Sequence, residues 1–195
     1  MVSEASGRID ELVRMVGMAP ERALPPIERW NPPDCGDIDI VIDREGAWHH
    51  EGRPIRREGL VRLFASVLRR EGERYVLVTP VEKLGIRVED APFLAVEMAV
   101  EEGGEGPVLV FRTNLDDLVR CDEAHKLRFD AQAGGEVRPY IYVRRGLWAR
   151  LTRAVFLDLA ERAEERVVEG RAVYGVASGG AFFTLAPAET VRKRI

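Results

Sequence analysis

Alternation of apolar and polar positions is the first signal in the chain. Residues 37–43, Asp-Ile-Asp-Ile-Val-Ile-Asp, alternate with period two and predict a strand that buries one face. Arg44-Glu45-Gly46 supplies a turn, residues 47–50 return as a hairpin arm, and Glu51-Gly52-Arg53-Pro54 turns again. Over 57–70 the period becomes helical: Leu60, Leu63, Phe64, Val67 and Leu68 form one stripe, with Gly72 placed as a C′ residue. Residues 75–78 read as a strand ended by Thr79-Pro80, and 86–88 as a short strand.

The remainder repeats this vocabulary. Residues 93–101 and 108–112 form a hairpin around Gly103, Gly104, Gly106 and Pro107, and 127–130 and 139–143 are further strands. Ala154, Val155, Leu157, Leu159 and Ala160 give 151–166 the pattern of a second helix. Strands over 171–177 and 181–185 follow, joined by Ser178-Gly179-Gly180. Ahead of all this, Ile9, Leu12, Val13 and Val16 predict a helix over 3–17. Five prolines make 19–36 a loop, which Trp30 pins to the body of the protein.

One string recurs. Ile55-Arg56-Arg57-Glu58-Gly59-Leu60 precedes the first strong helix and Val143-Arg144-Arg145-Gly146-Leu147 the second, 143 − 55 = 88 residues apart. Duplication and coincidence of Arg, Gly and Leu both explain so short a match. The expected fold is α+β: two similar halves, each a mostly antiparallel sheet with one main helix. The divisions are an N-terminal helix over 1–19, an N-terminal half over 20–95 and a C-terminal half over 96–195.

Composition narrows the function classes. Apolar residues make up 46% of the 195 and charged residues 32%, enough for a core under a solvated surface. The net charge is −4 with Arg and Lys spread along the chain, so nucleic acid is not an expected partner. Two cysteines, Cys35 and Cys121, fit reduced thiols better than a disulfide scaffold. The N-terminus lacks the features of a signal peptide, and no stretch is apolar enough to span a membrane. These features predict a cytoplasmic protein with no membrane insertion.

Motifs for chemistry are sparse. The sequence has no Walker loop, dinucleotide fingerprint, nucleophile elbow or zinc-protease motif. His49 and His50 are adjacent on a predicted strand and point to opposite faces. Asp37, Asp39 and Asp43 lack the glycine bend of a calcium loop. Arg56-Arg57 and Arg144-Arg145 each precede a predicted helix, where the helix dipole disfavours cations. They either hold an anion together with the helix N–H groups or pair with nearby carboxylates such as Glu58, Glu71 and Glu82.

Several segments together resemble a known family. They are Gly36-Asp37-Ile38, Asp43-Arg44-Glu45-Gly46-Ala47-Trp48-His49, Gly52-Arg53-Pro54-Ile55-Arg56-Arg57, Leu60-Val61-Arg62-Leu63-Phe64, Thr79-Pro80-Val81-Glu82-Lys83, Val88-Glu89-Asp90-Ala91-Pro92-Phe93, Pro139-Tyr140-Ile141-Tyr142-Val143-Arg144 and Leu147-Trp148-Ala149-Arg150-Leu151. As a set they resemble an uncharacterised bacterial family, domain of unknown function 1285. The resemblance implies a duplicated α/β core, a C-terminal half superficially like a pleckstrin-homology domain, and a ligand groove between the halves. It also implies a nucleotide-like ligand and a signalling role. Strands after the second helix depart from the pleckstrin-homology order, which undercuts a lipid-binding analogy.

The expected function is therefore a non-catalytic ligand-binding or signalling module that takes a small anionic, nucleotide-like ligand in that groove, with no cofactor or metal. Trp48, Arg56, Thr79 and Lys83 from the first half and Tyr140 and Arg144 from the second are its candidate binding residues. Aromatic rings would stack on a base while Arg and Lys neutralise phosphate. Two rivals remain: a metal-assisted hydrolase using Glu82 or Asp90 in the same groove, and an adaptor that binds a protein partner or a second copy through strand edges.

Overall fold

The protein is described here from a computed structural model that covers residues 24–132 and 136–189; the helix expected over 3–17 lies outside them. The chain divides into two compact units between Ala91 and Pro92. The expected division at 95/96 falls inside a strand, Phe93–Gly103, that belongs wholly to the second unit.

The N-terminal unit contains β1 (Asp34–Ile42), β2 (Trp48–His50), β3 (Arg53–Pro54), α1 (Glu58–Ser66), β4 (Leu68–Glu71), β5 (Arg74–Val78) and β6 (Lys83–Val88). They form one sheet in the order β3-β2-β1-β6-β5-β4, antiparallel except between β1 and β6. The alternation of β1 is realised: Ile38, Ile40 and Ile42 are buried, while Asp37 and Asp39 are exposed. Asp43, just past the strand, accepts the N–H groups of Glu45 and Ala47 and lies 2.8 Å from His49 Nε2, which fixes the turn into β2.

The first helix is shorter than its apolar stripe. It ends at Ser66, whose Oγ donates to the Leu63 carbonyl, and Leu68 opens β4 instead. Val67 and Leu68 are both fully buried, so the end of a helical stripe and the start of a strand read alike over those few residues. Gly72, at φ +59°, serves the tight turn between β4 and β5 rather than a helix C-terminus.

The C-terminal unit runs β7 (Phe93–Gly103), β8 (Gly106–Thr113), β9 (Leu118–Arg120), β10 (Leu127–Ala131), β11 (Val137–Arg144), β12 (Leu147–Leu151), α2 (Arg153–Ala160), β13 (Glu164–Val168), β14 (Arg171–Ser178) and β15 (Ala181–Pro187). Its larger sheet is ordered β10-β11-β12-β7-β8-β9, and β13-β14-β15 form a second sheet. Ser178 joins the two sheets: its Oγ accepts from the Leu109 N–H at 2.9 Å and donates to the Cys121 carbonyl at 2.6 Å. Thr152 caps α2 by accepting the Val155 N–H. The helix ends at Ala160, so the tail of the stripe expected over 151–166 becomes the edge strand β13.

The two six-stranded sheets share one topology. Each is two three-stranded meanders, with the first strand of the first meander parallel to the last strand of the second: β1 with β6, β7 with β12. The helix differs in place, following the third strand in one unit and the sixth in the other. The Arg-Arg string does not mark this repeat. Arg56-Arg57 precedes α1, whereas Arg144-Arg145 sits in the β11–β12 turn, with Arg145 at φ +52° and Gly146 at +77°. The expected placement of Arg144-Arg145 at a helix N-terminus is thus corrected. Val143 and Leu147 are strand residues, and the helix begins only at Arg153.

Candidate functional site

Burial and pairing fix most of the residues expected to bind a ligand. Trp48 is 2% exposed and stacks on Phe64 of α1, with ring centres 6.1 Å apart. Thr79 is fully buried; its Oγ1 accepts the Glu82 N–H at 3.1 Å and closes the turn between β5 and β6. Lys83 donates to Glu71 Oε2 at 2.7 Å, and Arg69 donates to the other oxygen of the same carboxylate. The Lys83 hydrogen bond, joined by Arg69, holds Glu71 below the usual carboxylate range. Arg56 is exposed in the loop ahead of α1, and Glu82 is half-buried in the Thr79 turn.

A charged trough lies on the face of this sheet opposite the buried Ile38, Ile40 and Ile42, a cavity of about 660 Å³ flanked by Asp37, Asp39, Glu71, Arg74 and Arg87. The Arg74 guanidinium bridges Asp34 and Asp37 there. It lies close over Gly85, where an added Cβ would clash with Asp37 Oδ1 and Arg74 Nη2. Gly85 is therefore the residue that lets this ion-pair network lie against the sheet. Charges of both signs neutralise one another here, which suits a solvated sheet face more than a ligand site.

In the C-terminal unit, a one-residue bulge between Tyr142 and Arg144 sets Arg144 opposite Leu147. Arg144 then reaches Asp117, Nη1 to Oδ2 2.6 Å, with its guanidinium 5.0 Å from the Phe93 ring centre. Tyr140 is 4% exposed, yet it belongs to a cluster that opens to solvent. Arg128, Tyr140 and Arg150 stand opposite one another across β10, β11 and β12, and Tyr142 stands opposite Trp148 on the same face. The Arg128 guanidinium lies 4.8 Å from the Tyr140 ring centre and 4.5 Å from that of Trp148. Trp148 meets Tyr142 edge to face at 5.2 Å.

Arg128 keeps 42% of its side chain exposed. Its Nε is buried without a hydrogen bond among the described residues, although Asp130 Oδ1 lies 3.0 Å away. Rings beneath the guanidinium hold its plane and leave in-plane N–H groups for an anion. Arg128, Tyr142 and Trp148 were not among the expected site residues. Their signal was a second alternation: Tyr140 and Tyr142 against Ile141 and Val143, Trp148 and Arg150 against Leu147 and Ala149. Among the described residues no group of three or more His, Cys, Asp or Glu side chains is placed to hold a metal, and no helix is long and apolar enough to cross a membrane.

Fold and cluster together define a duplicated α+β protein whose C-terminal unit presents an aromatic and cationic sheet face. The chain belongs to the DUF1285 family: the domain of unknown function (DUF1285), N-terminal domain, matches residues 25–91, and the C-terminal domain of the protein of unknown function (DUF1285) matches 92–185. It is similar to a crystal structure of a DUF1285 family protein from Silicibacter pomeroyi DSS-3, with 41% identity and TM-score 0.82 over 93% of this chain and 97% of that one. It is also similar to a DUF1285 family protein from Shewanella baltica OS155, with 28% identity and TM-score 0.50 over 63% of this chain and 90% of that one. No curated protein matches the sequence.

Proposed function

We propose that this chain is a non-catalytic, cytoplasmic ligand-binding module for a small planar anion of nucleotide-like chemistry, and that it signals by binding it reversibly. The site is the Arg128–Tyr140–Trp148 cluster. The observation that carries the reading is the stacked Arg128 guanidinium, 4.5 Å from Trp148 and still 42% exposed. An anionic group meets its N–H edge, and a planar ring packs against Trp148 and Tyr142. Of the six residues expected from the sequence, only Tyr140 belongs to this cluster. Lys83 and Arg144 are each held by a carboxylate of their own unit and are only 14% and 15% exposed, whereas Arg128, though 3.0 Å from Asp130, stays 42% exposed; Trp48 is a core residue. Two free thiols support a reducing compartment.

The test is calorimetric titration of the full chain with a panel of nucleoside mono- and triphosphates, repeated on Arg128→Ala and Trp148→Leu. Binding by one or more nucleotides is expected, weakened at least about tenfold by Arg128→Ala, the worth of one charge-assisted hydrogen bond. Silence across the panel, or equal affinity in Arg128→Ala, sinks the reading.

A further inference from the structure

The small sheet of the C-terminal unit ends at β13, which among the described residues pairs with β14 alone. All five residues of β13 are exposed, and Val167 keeps 75% of its surface in solvent. Three of the other sheet edges are blunted. β3 is two residues long and ends on Pro54, β9 is three residues long, and β4 turns Arg69 onto the carbonyls of Ile27 and Trp30. β13 has neither proline nor lysine along it.

A cavity of about 380 Å³ opens beside the first residue of this strand. Leu109 and Val176, both buried, line it together with Val100 and Pro107, while Glu161, Arg162 and Glu164 are exposed beside it. β14 runs past the start of β13, because Glu164 pairs with Gly175 and the strand continues to Ser178. The cavity therefore lies where the partner strand has stopped and the sheet edge steps back. The surrounding segment is acidic: residues 161–169 hold four glutamates and two arginines, and Arg166 is already paired with Glu164 at 2.5 Å.

We propose that β13 and this cavity form a docking surface for an extended segment of a partner protein, with apolar and basic residues in alternation. The segment adds to the sheet along β13 through main-chain hydrogen bonds. One of its apolar side chains fills the cavity, and its basic residues face the net negative charge of 161–169, with Glu161 beside the cavity. Strand addition draws affinity from the backbone and specificity from alternate side chains, and here an apolar pocket and an acidic border supply both. This surface uses none of the Arg128 cluster, so it stands or falls apart from the ligand reading.

The test is a titration of the full ¹⁵N-labelled chain with a capped heptapeptide alternating lysine and valine, and with its glutamate–valine counterpart. Saturable amide shifts are expected over 164–168 and 176–177, with slowed amide exchange in β13. The glutamate peptide should bind at least about fivefold more weakly, as expected for losing exposed ion pairs. Glu161→Lys should weaken the lysine peptide, and Ala177→Leu, which fills the cavity, should abolish its binding. Equal response to both peptides, shifts centred elsewhere, or no saturable shift overturns the proposal. Because the shift map is made on the unaltered chain, it decides the matter even if a variant fails to fold.

Discussion

Arg144 donates through Nη1 to Asp117 Oδ2 at 2.6 Å while its guanidinium lies over the Phe93 ring. The two side chains are only 15% and 27% exposed, so this is a largely desolvated charge pair and not a surface decoration. Asp117→Ala leaves the cation without that partner. It should destabilise the protein by about 1–3 kcal/mol, seen as a lower urea midpoint with unchanged slope. A variant as stable as the parent would show that Arg144 does not depend on Asp117.

Trp48 tests the difference between a core aromatic and a ligand-stacking one. Trp48→Ala removes a large side chain packed on Phe64 and should cost about 3–5 kcal/mol. Trp48→Phe should cost much less, since it keeps the ring contact and removes an Nε1 that has no partner among the described residues. Calorimetric unfolding of both variants separates the two cases.

Glu71 predicts part of the acid sensitivity. Its hydrogen bonds from Lys83 and Arg69 depress its folded value below the ordinary 4.5. Because the folded value is the lower one, this contribution is complete above 4.5 and is lost as pH falls through the folded value. Thermal midpoints measured downward through the carboxylate range should fall less steeply for Glu71→Gln than for the parent. Identical slopes would remove Glu71 from the account.

The two thiols should behave differently. Burial pushes Cys121 up to about 12, so it stays a protonated, shielded thiol in the native protein, whereas Cys35 is exposed on β1. A thiol reagent at mildly alkaline pH should label Cys35 in the native chain and reach Cys121 only in denaturant. Rapid native labelling of Cys121 would mean that its surroundings open readily.

Strands with strict alternation were legible before any coordinates. Ile38, Ile40 and Ile42 announced β1, and the glycine turns at 103–106 and 178–180 announced hairpins that form as expected. Both helices were legible, but their ends were not. At Val67-Leu68 and beyond Ala160 the chain leaves the helix for a strand while apolar residues continue, and local pattern cannot tell the two apart. The candidate site was legible only in part. Tyr140 was visible as an aromatic, but its partner Arg128 is twelve residues away and becomes its neighbour only through β10–β11 pairing.

The sequence by itself determined the fold class and the family, because these rest on local periodicity, turn chemistry and residue motifs. Tertiary structure alone decided which charges are free. Lys83 and Arg144 look like open cations along the chain, yet each is held by a carboxylate brought by another element, Glu71 of β4 and Asp117 ahead of β9. Pairing energy depends on distance across the fold rather than along the chain, and strand register sets that distance.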